Sequence, residues 1–226
     1  MKGLIISLLA YLWLGSVLCL AQPFFCDVPE RCLEYRRTYV SDGRLKWTHT
    51  MKIGSVTPTA GGKKVEYSSS FRKPGGGLMY GGPISLEAVL TSGGDVLVDV
   101  GESLSSVFSN LLPGSDVSSD GERSVLPAAM KPGDILPDAN CTVKAGLLQY
   151  KVSVTQRKVL RRETLKTPAG EFECTVVSEH KVEKGPGRNR ETTALTWYST
   201  GVGMVRHDTY DKRLKLETSE ILCRIY

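Results

Sequence analysis

Three histidines, His49, His180 and His207, are the side chains of this sequence best suited to acid–base work near neutral pH. They stand far apart, and none has a second His or Cys at metal-ligand spacing. His207 and Asp208 are adjacent, and on a strand neighbouring side chains point to opposite faces, so they form no local dyad. A Ser/His/carboxylate triad can still assemble in space, because triads are defined by geometry. The chain has no Gly-x-Ser-x-Gly elbow to present a nucleophile. The Gly-rich stretch from Lys73 to Pro83 lacks the Lys and Ser/Thr that a phosphate loop places after its last glycine, and reads as a flexible loop. The sequence thus assigns no catalytic residue, no metal ligand and no cofactor, and it leaves any ligand-binding residues open.

Two further groups carry weaker signals. Arg157, Lys158, Arg161, Arg162 and Lys166 form the densest basic run. On a strand they split, Arg157 and Arg161 on one face and Lys158, Arg162 and Lys166 on the other. The run would suit an anionic envelope component such as a phosphorylated glycolipid. The preferred reading is a solvated edge strand protected by its charge. Tyr35, Tyr39, Trp47, Tyr67 and Phe71 would line a ligand cleft or, as the preferred reading, fill a sheet core.

The elements that must position these residues are mostly strands. Short alternating runs broken by Gly, Pro, Asp and Asn dominate. Leu33–Val40 and Arg44–Ile53 flank Ser41-Asp42-Gly43, a hairpin signal. Further strands are expected at 63–71, 86–90, 95–100, 145–155, 158–166, 171–182, 191–199, 203–210 and 214–225. Lys184–Asn189 is a hairpin tip, and Ser115–Arg123 reads as a polar loop. One segment changes period: Leu104, Val107, Phe108, Leu111 and Leu112 form one helical stripe. Asp99 and Glu102 have capping-box spacing, and Pro113-Gly114 ends the helix. The pattern predicts a mainly β fold: a curved antiparallel sheet, half-barrel or barrel-like, with one short packing helix.

The first residues set the compartment. Lys2, an apolar stretch from Leu4 to Leu14, and small residues up to Ala21 form an export signal over residues 1–21. Pro23 follows at once, with no basic stop-transfer cluster, which favours cleavage over a membrane anchor. Lipid attachment at Cys19 ranks below cleavage because Leu18 precedes it. No later segment is long and apolar enough to span a bilayer. Removing 21 residues from 226 leaves 205, read as one domain over residues 22–226. The leader holds one charge, so net charge falls only from +5 to +4. That is too mild and scattered for nucleic acid. Cys26, Cys32, Cys141, Cys174 and Cys223 remain. Their odd number leaves at least one thiol unpaired in a monomer, and their pairing is not readable from spacing.

Several turn motifs occur in a characteristic order: Lys131-Pro-Gly-Asp-Ile-Leu-Pro-Asp-Ala139, Arg157-Lys-Val159, Thr167-Pro-Ala-Gly-Glu-Phe172, Trp197-Tyr-Ser-Thr-Gly-Val-Gly-Met-Val205 and Thr209-Tyr-Asp-Lys212. With Leu33-Glu-Tyr35 and Asp42-Gly-Arg-Leu45, this order resembles the TapB-like family of exported envelope proteins, a domain of unknown function. The resemblance implies an antiparallel β domain, similar to the half-barrels of periplasmic lipoprotein carriers, with no established catalytic residues. Cys26, Cys141 and Cys223 depart from many members. The expected function is a non-catalytic module of the periplasm or outer envelope that binds or carries an apolar or amphipathic ligand such as a lipid or glycolipid. An envelope protein partner docked on a sheet edge is the alternative. A hydrolase of envelope polymers comes third.

Overall fold

A computed structural model describes residues 22–226; the export signal expected at 1–21 and Cys19 lie outside the described residues. The chain runs through β1 (Cys32–Tyr39), β2 (Leu45–Thr59), β3 (Gly62–Arg72), β4 (Ile84–Thr91) and β5 (Val96–Asp99) before its helix, α1 (Val100–Leu111). It continues through β6 (Val117–Gly121), β7 (Arg123–Leu126), β8 (Ala139–Ala145), β9 (Leu148–Thr167), β10 (Gly170–Gly185), β11 (Arg188–Ser199), β12 (Gly203–Tyr210) and β13 (Leu216–Ile225). The strands form one antiparallel sheet in the order β6-β8-β9-β10-β11-β12-β13-β1-β2-β3-β4-β5-β7. The expected curved sheet is therefore a nearly closed barrel with one unsealed seam.

The seam lies between β6 and β7, which are consecutive in the chain. Gly121 pairs with Cys141 of β8, and Arg123 pairs with Asp99 of β5. The chain thus crosses from one sheet edge to the other at Glu122, whose N–H donates to Asn140 O at 2.8 Å. The segment expected as a loop, Ser115–Arg123, contains β6. Its Ser, Asp and Gly residues carry no strand signal, and pairing with β8 overrides their weak propensity.

Helix α1 packs against β4, β6 and β8 beside the seam. Asp99 is its N-cap, and Asp99 Oδ1 accepts from the Glu102 N–H at 2.8 Å, satisfying one of the unpaired donors of the first turn. Phe108 meets Tyr150 of β9 with ring centroids 4.6 Å apart.

The register places the turns at 59–62, 91–95, 167–170 and 199–203 at one end of the barrel. Residues Phe24, Phe25 and Cys26 close that end, with Phe25 edge-on to Tyr67 at 5.2 Å. Leu33, Ile53, Val65, Leu90, Val159 and Leu222 fill the interior above them. Burial of each such side chain contributes about 1.5–3 kcal/mol. Strand β9 is one strand of 20 residues rather than the two expected, because a bulge at Gln156 (φ +53°) carries it through.

Candidate functional site

The barrel interior changes character toward the end that carries the turns at 39–45, 185–188 and 210–216. A cavity of about 390 Å³ opens there, walled by Trp47 and Tyr80 on one side and by Glu179, Lys181, Glu183, Thr192 and His207 on the other. Arg37, Lys46, Arg188 and Arg190 complete its lining. The alternation of strands explains this: Arg37, Trp47 and Glu220 lie side by side across β1, β2 and β13, on the face that turns inward.

The cations outnumber their partners. Arg37 Nη1 bonds Glu220 at 3.1 Å. Lys181 and Arg188 share Glu183, at 3.0 and 2.6 Å. Arg190 pairs with Glu217. Five cations thus face four carboxylates, and burial pushes the pKa of one of the four, Glu179, upward against the pull of Arg157 and Lys181. Lys46 has no carboxylate partner among the described residues. It rests on the faces of Trp47 and Tyr39, 4.8 and 5.3 Å from the ring centroids. Burial lowers its pKa, and Arg37, Arg190 and Arg188 act in the same direction against the pull of Glu217. The Trp47 Nε1–H is buried and meets no protein acceptor. Excess positive charge beside an unused donor is the environment that an anion satisfies.

Deeper in the barrel, the structure brings together three residues that the sequence keeps 20 and 171 positions apart. His49 Nε2 lies 3.1 Å from Ser69 Oγ, and His49 Nδ1 lies 3.3 Å from Glu220. This is a Ser/His/carboxylate line. Burial works to raise the Glu220 pKa, but the His49 hydrogen bond and the charges of His49 and Arg37 outweigh it and the net shift is downward. Ser69 is only 4% exposed and His49 is stacked between Tyr35 and Phe71, at 5.1 and 4.2 Å. Neither lines the cavity. Ser69 sits within β3, paired with Met51 and Ile84, rather than on the sharp turn that exposes a catalytic serine. His180 is apart from this group, beside Glu191 at 3.2 Å. His207 lies beside the network, its Nδ1 2.9 Å from Thr196 Oγ1. Burial and the nearby Arg37 lower its pKa to about 4.

The basic run on β9 is corrected by the structure. Arg157, expected on a solvated edge strand, is 2% exposed, and β9 is an interior strand between β8 and β10. The bulge at Gln156 turns Arg157 inward, where its Nη1 donates to Val125 O at 3.1 Å and Pro137 O at 2.8 Å. It therefore ties β7 to β9 across the seam. Lys158, Arg161, Arg162 and Lys166 remain exposed. Tyr35 and Tyr67 are core, Phe71 and Trp47 face inward, and Tyr39 is at the rim.

The spaces around α1 are lined mostly by serines, Glu66, Glu87 and Glu102, with Pro83, Ile84, Val117, Tyr67 and Leu86 as their apolar members. Cys26, Cys32, Cys141, Cys174 and Cys223 are all unbonded. Among the described residues, no group of His, Cys, Asp or Glu could hold a metal ion, and no helix is long and apolar enough to cross a membrane.

A nearly closed antiparallel barrel, solid and apolar at one end and hollow and cationic at the other, defines the class of protein. The chain belongs to the DUF3108-like family, which matches residues 33–222; this is the family name that the match bears, in place of the TapB-like one. Two solved structures share the fold. One is a candidate exported protein with a YmcC-like fold from Bacteroides fragilis, with 22% identity and a TM-score of 0.72, covering 91% of this chain and 99% of its own. The other is a candidate lipoprotein from Parabacteroides distasonis, with 19% identity and a TM-score of 0.75 at the same coverage. No curated protein matches the chain.

Proposed function

We propose that this chain is a non-catalytic, exported binding module of the periplasm or outer envelope, whose barrel mouth takes the anionic head of an amphipathic ligand. The observation that supports this is Lys46: a half-buried ammonium without a carboxylate partner, held over Trp47 at the wall of a cationic cavity. The other half of the barrel is filled by buried apolar side chains, so in this reading the ligand's apolar part extends toward the rim. A volume of about 390 Å³ lies within the range of small-molecule sites. The export signal over residues 1–21 and the descriptions of the two structural neighbours accord with an envelope location.

Ser69, His49 and Glu220 act in this reading as a satisfied buried network that fixes the interior. Edge-strand docking of a protein partner is less favoured, because the sheet's two edges, β6 and β7, have five and four residues and meet at the seam.

Calorimetric titration with hexyl phosphate, hexanol and inorganic phosphate tests the reading. Hexyl phosphate is expected to bind more tightly than either of the others, and Lys46→Gln to weaken it roughly tenfold, as for loss of one charge-assisted bond. Equal binding of hexanol and hexyl phosphate, or no effect of Lys46→Gln, would refute it.

A further inference from the structure

Two turns stand beside the mouth, and each exposes an apolar side chain. The turn from Tyr39 to Arg44 joins β1 and β2, and carries Val40, 46% exposed. The turn from Asp211 to Lys215 joins β12 and β13, and carries Leu214, 68% exposed. Strands β13 and β1 are neighbours, and the Val40 N–H donates to Glu217 O at 3.0 Å, so the turns are held side by side.

The second turn is rigid. Asp211 Oδ1 accepts from the N–H groups of Arg213 and Lys215 at 2.8 and 2.9 Å, and the Leu214 N–H donates to Asp211 O at 2.8 Å. Leu214 is held at φ +59°, a left-handed conformation that a bulky side chain adopts only under constraint. Folding thus fixes a leucine in an unfavourable backbone state and then leaves its side chain in solvent.

Charge surrounds these two residues. Arg44, Lys212, Arg213 and Lys215 are exposed. The acids among them are engaged locally: Asp42, itself exposed, is bonded to Arg44 at 2.5 Å, and Asp211 caps its own turn. Between the turns lies a groove of about 470 Å³ that shares Lys46 and Arg190 with the mouth cavity. Cations ringing exposed aliphatic tips complement one surface in particular, an anionic lipid bilayer, where basic side chains meet head groups and aliphatic ones enter the interface.

We infer that the paired turns dock on an anionic bilayer, with Val40 and Leu214 inserted and Arg44, Lys212, Arg213 and Lys215 against the head groups. Docking would bring the groove, and through it the mouth, to the lipid. It stands on different residues from the ligand cavity, though it accords with a ligand drawn from a membrane.

Flotation with phosphatidylcholine vesicles, with and without phosphatidylglycerol, tests it. Binding is expected only with phosphatidylglycerol, and to weaken as salt rises. Lys212→Gln with Arg213→Gln should reduce it roughly 25-fold, from about fivefold per cation near the surface. Leu214→Gly keeps the turn, since glycine adopts this conformation freely, and should reduce binding roughly tenfold through loss of the inserted side chain. Equal binding to both vesicles, or unchanged binding by either variant, overturns the inference. Protein that titrates with hexyl phosphate yet ignores both vesicles would overturn docking and leave the cavity reading intact; the reverse pattern would do the opposite.

Discussion

Replacing Arg157 with Met probes how the barrel holds its seam. The side chain is almost wholly buried and donates from Nη1 to Val125 O and Pro137 O. Its Nε lies 3.8 Å from Glu179, too far for a hydrogen bond but close enough for attraction. Methionine fills much of the volume and keeps the packing. The loss is electrostatic: two carbonyls without their donor and a carboxylate without its nearest cation. Each charge-assisted bond is worth about 1.5–3 kcal/mol. Breaking a buried charged arrangement from one side costs about 3–5 kcal/mol, and we expect Arg157→Met to fall in that range. For a domain of this size that lowers the melting temperature by roughly 6–20 °C. Urea unfolding followed by tryptophan fluorescence, alongside calorimetry, would measure it. Arg157→Lys should lie between, because an ammonium is a point charge and cannot reproduce the guanidinium fork. A Met variant within about 1 kcal/mol of the parent, the size of an ordinary substitution, would show that Arg157 does not secure the seam.

Three further outcomes are expected. The depressed pKa of His207 gives the stability profile a defined sign. Above pH 6.5 the residue is neutral in both states and has no effect. Between 6.5 and about 4 only the unfolded chain takes up its proton, so stability falls as pH drops, by at most ~3 kcal/mol. Urea midpoints measured across that window should fall less steeply for His207→Gln, and parallel curves would contradict the burial argument. At Gly185 a Cβ would stand 2.3 Å from the Tyr150 ring. Gly185→Ala should therefore cost about 1–3 kcal/mol in chemical denaturation and be partly rescued by Tyr150→Leu, whereas an unperturbed Ala variant would mean that Tyr150 moves freely. Finally, a fluorophosphonate probe should leave Ser69 unlabelled in the folded protein, as read by intact-mass spectrometry. Labelling that Ser69→Ala abolishes would revive the hydrolase reading.

Local chemistry made much of the fold readable. The Asp42-Gly43 hairpin, the Lys184–Asn189 tip and the capped helix ending before Pro113-Gly114 depend on residues within a few positions of one another, and each is where the pattern placed it. The seam was not readable. Strand β6 is polar and becomes a strand only by pairing with β8, some 20 residues on. The edge-strand reading had placed Arg157 in solvent, but the bulge at Gln156 turns it inward, and the carbonyls it serves lie 20 and 32 residues away. The mouth draws its cations from β1, β2, β10 and β11, so no single stretch of sequence shows a patch. The same distance hides the Ser69–His49–Glu220 line, whose members look unremarkable until the barrel closes.

The closed end gives the molecule a direction. The chain enters the described fold where Pro23 O accepts from the Gly201 N–H, and Phe24 and Phe25 seal the floor beneath the core. The cationic mouth and its two leucine- and valine-tipped turns lie at the far end. A chain held at residue 22 would therefore point its mouth away from the point of attachment, as a cup faces away from its stem. If residues before Gln22 anchor it to one surface, the side it offers to a second, facing surface is the side with the charges, the groove and the tips.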